Sequence, residues 1–205
     1  PMDEAGDDAE SDGSEMTDAD VAAVEPAGNP MALGSAFHAA CQWLIEMGAG
    51  ELPAARADAL ARQWRLSPEQ RERFDVALDR WLKSAVRAEL LAWPCVRAEV
   101  PFFSLGCEDE DIARYGAYAE SAIDALATNP ADSSRALVID YKTGGTPDET
   151  PEQLQEKHAL QARVYADVLH KAGFEAVTVK FVRVEHPDPT IFVEPAEPQV
   201  VTYNF

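Results

Sequence analysis

Leu137-Val138-Ile139-Asp140-Tyr141-Lys142-Thr143-Gly144 is the stretch on which the reading of the fold turns. A short apolar run over Ala136 to Tyr141 has the length and the branched side chains of a buried strand. Side chains alternate along a strand, so Asp140 and Lys142 project from the same face, roughly 6–7 Å apart. A carboxylate there can hold a hard divalent cation. A lysine beside it can orient or deprotonate a water, or offset charge developing on a phosphate. An ordinary surface ion pair leaves the same Asp-x-Lys pattern, so the neighbouring sequence must decide.

The preceding strand, read over Tyr115 to Leu126, ends in Ala122-Ile123-Asp124-Ala125-Leu126. Its apolar flanks place Asp124 at the sheet, and a buried carboxylate is costly unless it is paired or binds a metal. Two such aspartates on adjacent strands, with a lysine next to one, supply what Mg²⁺ asks for: one or two carboxylates, waters and substrate phosphate.

Outward from this centre, the N-terminal side is helical. Gly34 to Met47 carries Phe37, Cys41 and Leu44 at helical spacing and stops at Gly48 and Gly50. Glu51 to Trp64 is a second, alanine-rich helix. Ser67-Pro68-Glu69-Gln70 opens a third through a capping box with proline at the first helical position. Phe74, Leu78, Trp81, Leu82 and Ala85 form its apolar stripe, and Trp93-Pro94 ends the helical region. Val96 to Phe103 is β-like. After the loop Gly144-Gly145-Thr146-Pro147, Pro151 to Lys171 is a helix. Ala176 to Val184 alternates as a strand, with Thr190 to Val193 and Gln199 to Tyr203 as edge-strand candidates. This order describes a mixed α/β sheet flanked by helices, with an N-terminal helical segment.

The charge is lopsided, with 37 acidic against 17 basic residues in 205. Residues 1–30 hold ten of the acids, no Lys or Arg and no aromatic residue, and read as an acidic flexible linker or tail. Residues 31–205 are then the folded domain. A free-standing nucleic-acid binder is usually basic, so composition pulls against DNA as a partner. Cys41, Cys95 and Cys107 fit neither a disulfide framework nor a zinc site and suit reduced thiols in the cytoplasm. No apolar run approaches the roughly 20 residues of a membrane span. The acidic N-terminus is unlike a signal peptide. Trp43, Trp64, Trp81 and Trp93 are assigned to the core or to helix packing, with no basic stretch interleaving them.

Five blocks together resemble the C-terminal nuclease domain of the RecB and AddA helicase–nucleases, within the PD-(D/E)xK class. They are Gly34-Ser35-Ala36-Phe37-His38, Glu99-Val100-Pro101-Phe102, Ile123-Asp124, Asp140-Tyr141-Lys142-Thr143-Gly144 and Gln161-Ala162-Arg163-Val164-Tyr165. The resemblance spans roughly residues 33–185. It implies a restriction-endonuclease-like fold. It implies that His38, Asp124, Asp140 and the backbone carbonyl of Tyr141 hold the metal. Lys142 would be the catalytic lysine, Glu99 would support the site, and Gln161 and Tyr165 would line the active-site wall and touch DNA. Ser121 stands where the family often has glycine, and His158 where it commonly has tyrosine. Neither removes a ligand.

The resemblance thus implies a Mg²⁺- or Mn²⁺-dependent deoxyribonuclease, exodeoxyribonuclease V-like, that acts in double-strand-break repair. An imidazole ligand favours Mn²⁺. Single-stranded DNA is the expected substrate. A helicase domain in the same polypeptide and a partner nuclease or helicase subunit are the expected partners. The chain has no G-x-x-x-x-G-K-[ST] loop to cradle a nucleotide. Three cysteines fall short of the four an iron–sulfur cluster needs. The alternative reading is an inactive nuclease fold that binds DNA ends or partner subunits.

Overall fold

A computed structural model of the chain describes residue 29 and residues 31–105, 118–191 and 196–205. The segment read as an acidic tail, residues 1–30, lies outside the described residues except for Asn29, and so does Cys107. Four helices come first: α1 Ala32–Met47, α2 Ala54–Gln63, α3 Pro68–Lys83 and α4 Ala85–Leu91. Three strands follow, β1 Cys95–Leu105, β2 Tyr118–Asn129 and β3 Asp132–Lys142. The long helix α5 Pro151–Lys171 then leads to β4 Ala176–Pro187 and β5 Pro198–Asn204.

The five strands form one sheet in the order β1-β2-β3-β4-β5. β1, β2 and β3 run antiparallel, β3 and β4 parallel, and β4 and β5 antiparallel. A parallel pair needs a crossover, and α5 provides it. Alternation along β3 divides the core. Leu137, Ile139 and Tyr141 pack with Phe37, Cys41 and Trp81 beneath α1 and α3. Ala136 and Val138 pack with Leu154, Tyr165 and Leu169 beneath α5. Each large side chain fully buried here contributes about 1.5–3 kcal/mol relative to exposure. This is the mixed sheet flanked by helices that the chain's patterning requires. No helix of the described residues is long and apolar enough to cross a membrane.

Several boundaries depart from the sequence reading. α1 starts at Ala32, two residues before Gly34. α2 starts at Ala54 rather than Glu51, because Pro53 disfavours helical backbone in the residue before it. The helical stripe running to Ala85 breaks at Ser84, whose backbone is extended. The Ser84 hydroxyl donates to the Trp81 carbonyl at 2.8 Å and accepts the Arg87 N–H at 3.2 Å, closing α3 and capping α4. β2 runs on to Asn129, and β3 begins at Asp132 rather than Ala136, through a tight turn in which Asn129 Oδ1 accepts the Ala131 N–H at 3.0 Å. Thr190 and Ile191 lie in no strand: the Asp188 carboxylate folds that stretch into a turn by accepting the Thr190 N–H at 2.8 Å. The rest of that proposed edge strand, residues 192 and 193, lies outside the described residues.

Candidate active site

At the end of β3, Asp140 is only 2% exposed. Its Oδ2 accepts the Tyr165 hydroxyl at 2.8 Å and the Gln161 amide at 3.0 Å. Gln161 and Tyr165 lie one turn apart on α5 and bond to each other at 2.8 Å, so the helix presents both to one carboxylate. Lys142 Nζ sits 2.7 Å from Asp140 Oδ1 and donates to Gln161 Oε1 at 3.0 Å. It also lies 5.1 Å above the Phe181 ring. Oδ1 has the Lys142 ammonium as its partner, an ion pair almost wholly removed from solvent on the carboxylate side. Burial, and then the charge of Asp124, push the Asp140 carboxyl up to about 6 against the opposing pull of Lys142 and Tyr165.

Asp124 enters from β2. The β2–β3 ladder runs as far as the pair Ala125–Ile139, and beyond it Asp124 Oδ2 accepts the backbone N–H of Tyr141 at 2.7 Å. Its other oxygen lies 3.3 Å from His38 Nδ1. Glu99 comes from β1, where it falls between the pairs Ala98–Ala125 and Val100–Ile123. Its φ is +47°, left-handed backbone in the middle of a strand. Such a conformation costs a non-glycine residue about 1–3 kcal/mol and persists only where the surroundings impose it. The Glu99 carboxylate lies 3.8 Å from His38 Nδ1.

His38 belongs to α1. Its Nε2 donates to the Tyr141 carbonyl at 3.2 Å, which fixes the ring and aims Nδ1 at the two carboxylates. A metal-bound histidine is typically held in this way, with the second ring nitrogen on a backbone carbonyl. Burial opposes protonation of this imidazole. The bonds to Asp124 and Glu99 and the charges of Asp124 and Asp140 outweigh it and raise the pKa to about 10. One ligand atom each from His38, Glu99 and Asp124 lies within 4.8 Å of the others. One imidazole and two carboxylates suit Mn²⁺ or Mg²⁺, and Asp140, whose Oδ1 is ion-paired with Lys142 at 2.7 Å, adds a further carboxylate nearby.

The sequence model of the PD-(D/E)XK nuclease superfamily matches residues 15–204. The chain belongs to that superfamily. No curated protein matches it.

Asp140-Tyr141-Lys142 has the Asp-x-Lys spacing at the end of β3, and the surrounding loop is tightly held. A Cβ on Gly34 would meet Thr143 Oγ1 at 2.9 Å, so glycine lets α1 approach the end of β3 and bring His38, one turn on, over Tyr141. Gly144 donates its N–H to Glu185 Oε2, and its carbonyl accepts His186 Nε2 at 2.9 Å. Arg183, buried in β4, bonds the Thr146 carbonyl at 2.8 Å and Glu149 at 2.7 Å.

A cleft of ≈ 550 Å³ opens over these groups, and His38, Glu99, Lys142, Arg73, Glu185 and Trp64 are among its lining residues. The structure therefore gathers His38, Glu99 and Asp124 into one cluster, and Asp140, Lys142, Gln161 and Tyr165 into a second beside it. Two further histidines take part in the surroundings. His186 clamps Gly144, and His158 stacks on Phe181 at 4.7 Å between ring centres. Of the tryptophans assigned to the core or to helix packing, Trp81 is buried, whereas Trp64 is 37% exposed in the cleft wall and so is not a core residue. The local signal was Arg62-Gln63-Trp64-Arg65, a basic pair around one aromatic residue. Nothing in sequence flagged Glu185, which meets the loop only through the fold.

Proposed function

We propose that this nuclease hydrolyses DNA phosphodiester bonds with Mg²⁺ or Mn²⁺, and that it is the exonuclease part of a RecB- or AddA-like helicase–nuclease. The observation that supports it best is the shared cleft: Lys142 lines the same opening as His38 and Glu99, beside the cluster they form with Asp124. His38, Asp124 and Asp140 would hold the cation, with Glu99, expected only to support the site, as a further ligand, and with the Tyr141 carbonyl, expected as a ligand, bonded to His38 Nε2 instead. Bound there, the cation would supply Lewis-acid stabilisation of charge developing on the phosphate.

The chain's own groups do the rest. An ammonium has three donors, and Lys142 uses one on Gln161 while Asp140 sits against it. A remaining donor can hold a water or a phosphate oxygen in the cleft. Gln161 and Tyr165 fix the Asp140 carboxylate and, through Gln161, the Lys142 amine. Preorganised groups of this kind need no reorientation as charge develops.

The net charge of −20 leaves little non-specific affinity for a polyanion. A helicase in the same polypeptide or complex would deliver single-stranded DNA to the cleft, so the nuclease needs little affinity of its own. Strong, salt-insensitive DNA binding after removal of residues 1–30 would count against this delivery. The test of the activity is digestion of end-labelled single-stranded DNA with Mn²⁺ or Mg²⁺ by the parent, Lys142→Ala and Asp140→Ala. The parent is expected to digest it and both variants to lose at least about a hundredfold in rate. Equal digestion by all three would remove the site assignment. DNA binding without digestion by the parent would favour the inactive end-binding fold.

A further inference from the structure

We propose that the C-terminal end of α2 guides single-stranded nucleic acid into the cleft, with a base stacked on Trp64 and the flanking phosphates on Arg62 and Arg65. The substrate class rests on the nuclease reading above. The site itself stands on three observations.

The first is exposure and position. Trp64 is 37% exposed, yet it lines the same cleft as His38 and Lys142, and Met31, 74% exposed, lines it too. An indole left open beside a polar site is an aromatic face without a partner. Base–aromatic stacking tolerates any base, because every base has a π-face.

The second is charge. Most described basic side chains are engaged within the protein: Arg71 by Asp58 and Asp75, Arg73 by Glu185, Lys157 by Glu149, Lys180 by Glu89. Among the described residues, no ion pair engages Arg62 or Arg65, and both are exposed. In a chain with 37 acids, two exposed arginines stand one and two positions from an exposed tryptophan in the sequence, a local concentration of positive charge at the end of α2. Such a concentration complements a phosphate backbone.

The third is backbone. α2 ends at Gln63 with Trp64 as its C-cap, and Arg65 follows at φ +51°, left-handed. Arg65 donates its N–H to the Arg62 carbonyl at 3.2 Å, and Leu66 donates to the Ala61 carbonyl at 2.9 Å. Helices usually place glycine at this position. An arginine is held there against its conformational preference, and strain of this kind concentrates where a side chain serves binding.

Fluorescence anisotropy in EDTA, where digestion cannot occur, tests this with a fluorescein-labelled oligo-dT of about 15 nucleotides and a duplex of equal length. The parent is expected to bind oligo-dT more tightly than duplex. Trp64→Ala is expected to weaken oligo-dT binding about tenfold, and Trp64→Phe distinctly less. Neutralising Arg62 and Arg65 to Gln is expected to reduce the log–log salt slope by about 1.4, from roughly 0.7 per phosphate contact. Arg65→Gly relieves the left-handed strain, so it should match or exceed the parent in thermal stability while it binds oligo-dT less tightly. This separates binding from unfolding. With Mn²⁺ present, the Trp64→Ala loss should fall on KM rather than kcat.

Parent-like affinity for oligo-dT in Trp64→Ala and in the double arginine variant would overturn the proposal, and so would a parent that binds oligo-dT no more tightly than duplex at low salt and whose KM with Mn²⁺ is unchanged by Trp64→Ala. If the parent digests DNA and these variants bind normally, the guiding site alone fails. If the parent never digests DNA but binding depends on Trp64, the nuclease reading alone fails.

Discussion

The Asp124 carboxylate accepts the backbone N–H of Tyr141 at 2.7 Å, one step beyond the last paired residues of β2 and β3. One oxygen of this carboxylate thus replaces a strand carbonyl, and the other faces His38. The two oxygens have separable duties. Asp124→Asn keeps an acceptor for Tyr141 and removes the charge, so thermal stability should stay near the parent's while metal affinity and digestion are lost. Asp124→Ala leaves a buried N–H unpaired and should also cost about 1–3 kcal/mol in chemical denaturation. Equal stability of the two variants would contradict the double role.

Glu99 makes the opposite exchange, giving up stability to present a carboxylate. Its left-handed backbone favours glycine. Glu99→Gly should therefore match the parent or gain about 1 kcal/mol in stability, yet bind Mn²⁺ more weakly by calorimetry. A marked fall in melting temperature would show that the φ of +47° is not a strained conformation held for the site.

Gly34 and Thr143 should behave as a coupled pair. A methyl at residue 34 would press on Thr143 Oγ1 and push α1, with His38, away from Tyr141. Gly34→Ala is expected to lower activity about tenfold or more, in line with the sensitivity of such sites to small displacements. Adding Thr143→Ala removes the clashing atom and should restore much of it. Purely additive losses in the double mutant would rule out this contact as the cause.

How much of this was legible beforehand depends on range. The Ser67–Gln70 capping box and the full extent of α5 were readable, because both follow from local hydrogen bonding and helical period. So was the shared face of Asp140 and Lys142, a consequence of strand alternation. The break at Ser84 was a local signal overlooked beneath a continuous apolar stripe. The left-handed turn at Glu99 and the Glu185–Gly144 bond could not be read, since each is imposed by strands distant in sequence. Trp64 was not recognised as exposed, because its place in the cleft wall depends on how α2 packs against the rest of the chain.

His158 supplies a pH test independent of metal. Burial, then the charges of Lys142 and Lys157, hold its pKa down at about 4, whereas an unfolded histidine titrates near about 6.5. Between those values the unfolded chain binds a proton that the folded chain refuses, so this residue withdraws stability as pH falls from about 6.5 to about 4. His158→Phe keeps the stacking on Phe181 and cannot titrate. In EDTA, the parent's melting temperature should drop more than the variant's between pH 7 and pH 4.5. Equal drops would show that His158 is not the residue responsible.

The central claim is that one cation sits among His38, Glu99 and Asp124, within reach of Asp140 as a further ligand. Anomalous diffraction from crystals soaked in Mn²⁺ tests it most directly. The expected result is a manganese peak bonded to His38 Nδ1 and to carboxylate oxygens of Glu99 and Asp124, lost in Asp124→Asn. No peak there at saturating Mn²⁺, or a peak only at some other carboxylate cluster, would contradict the account.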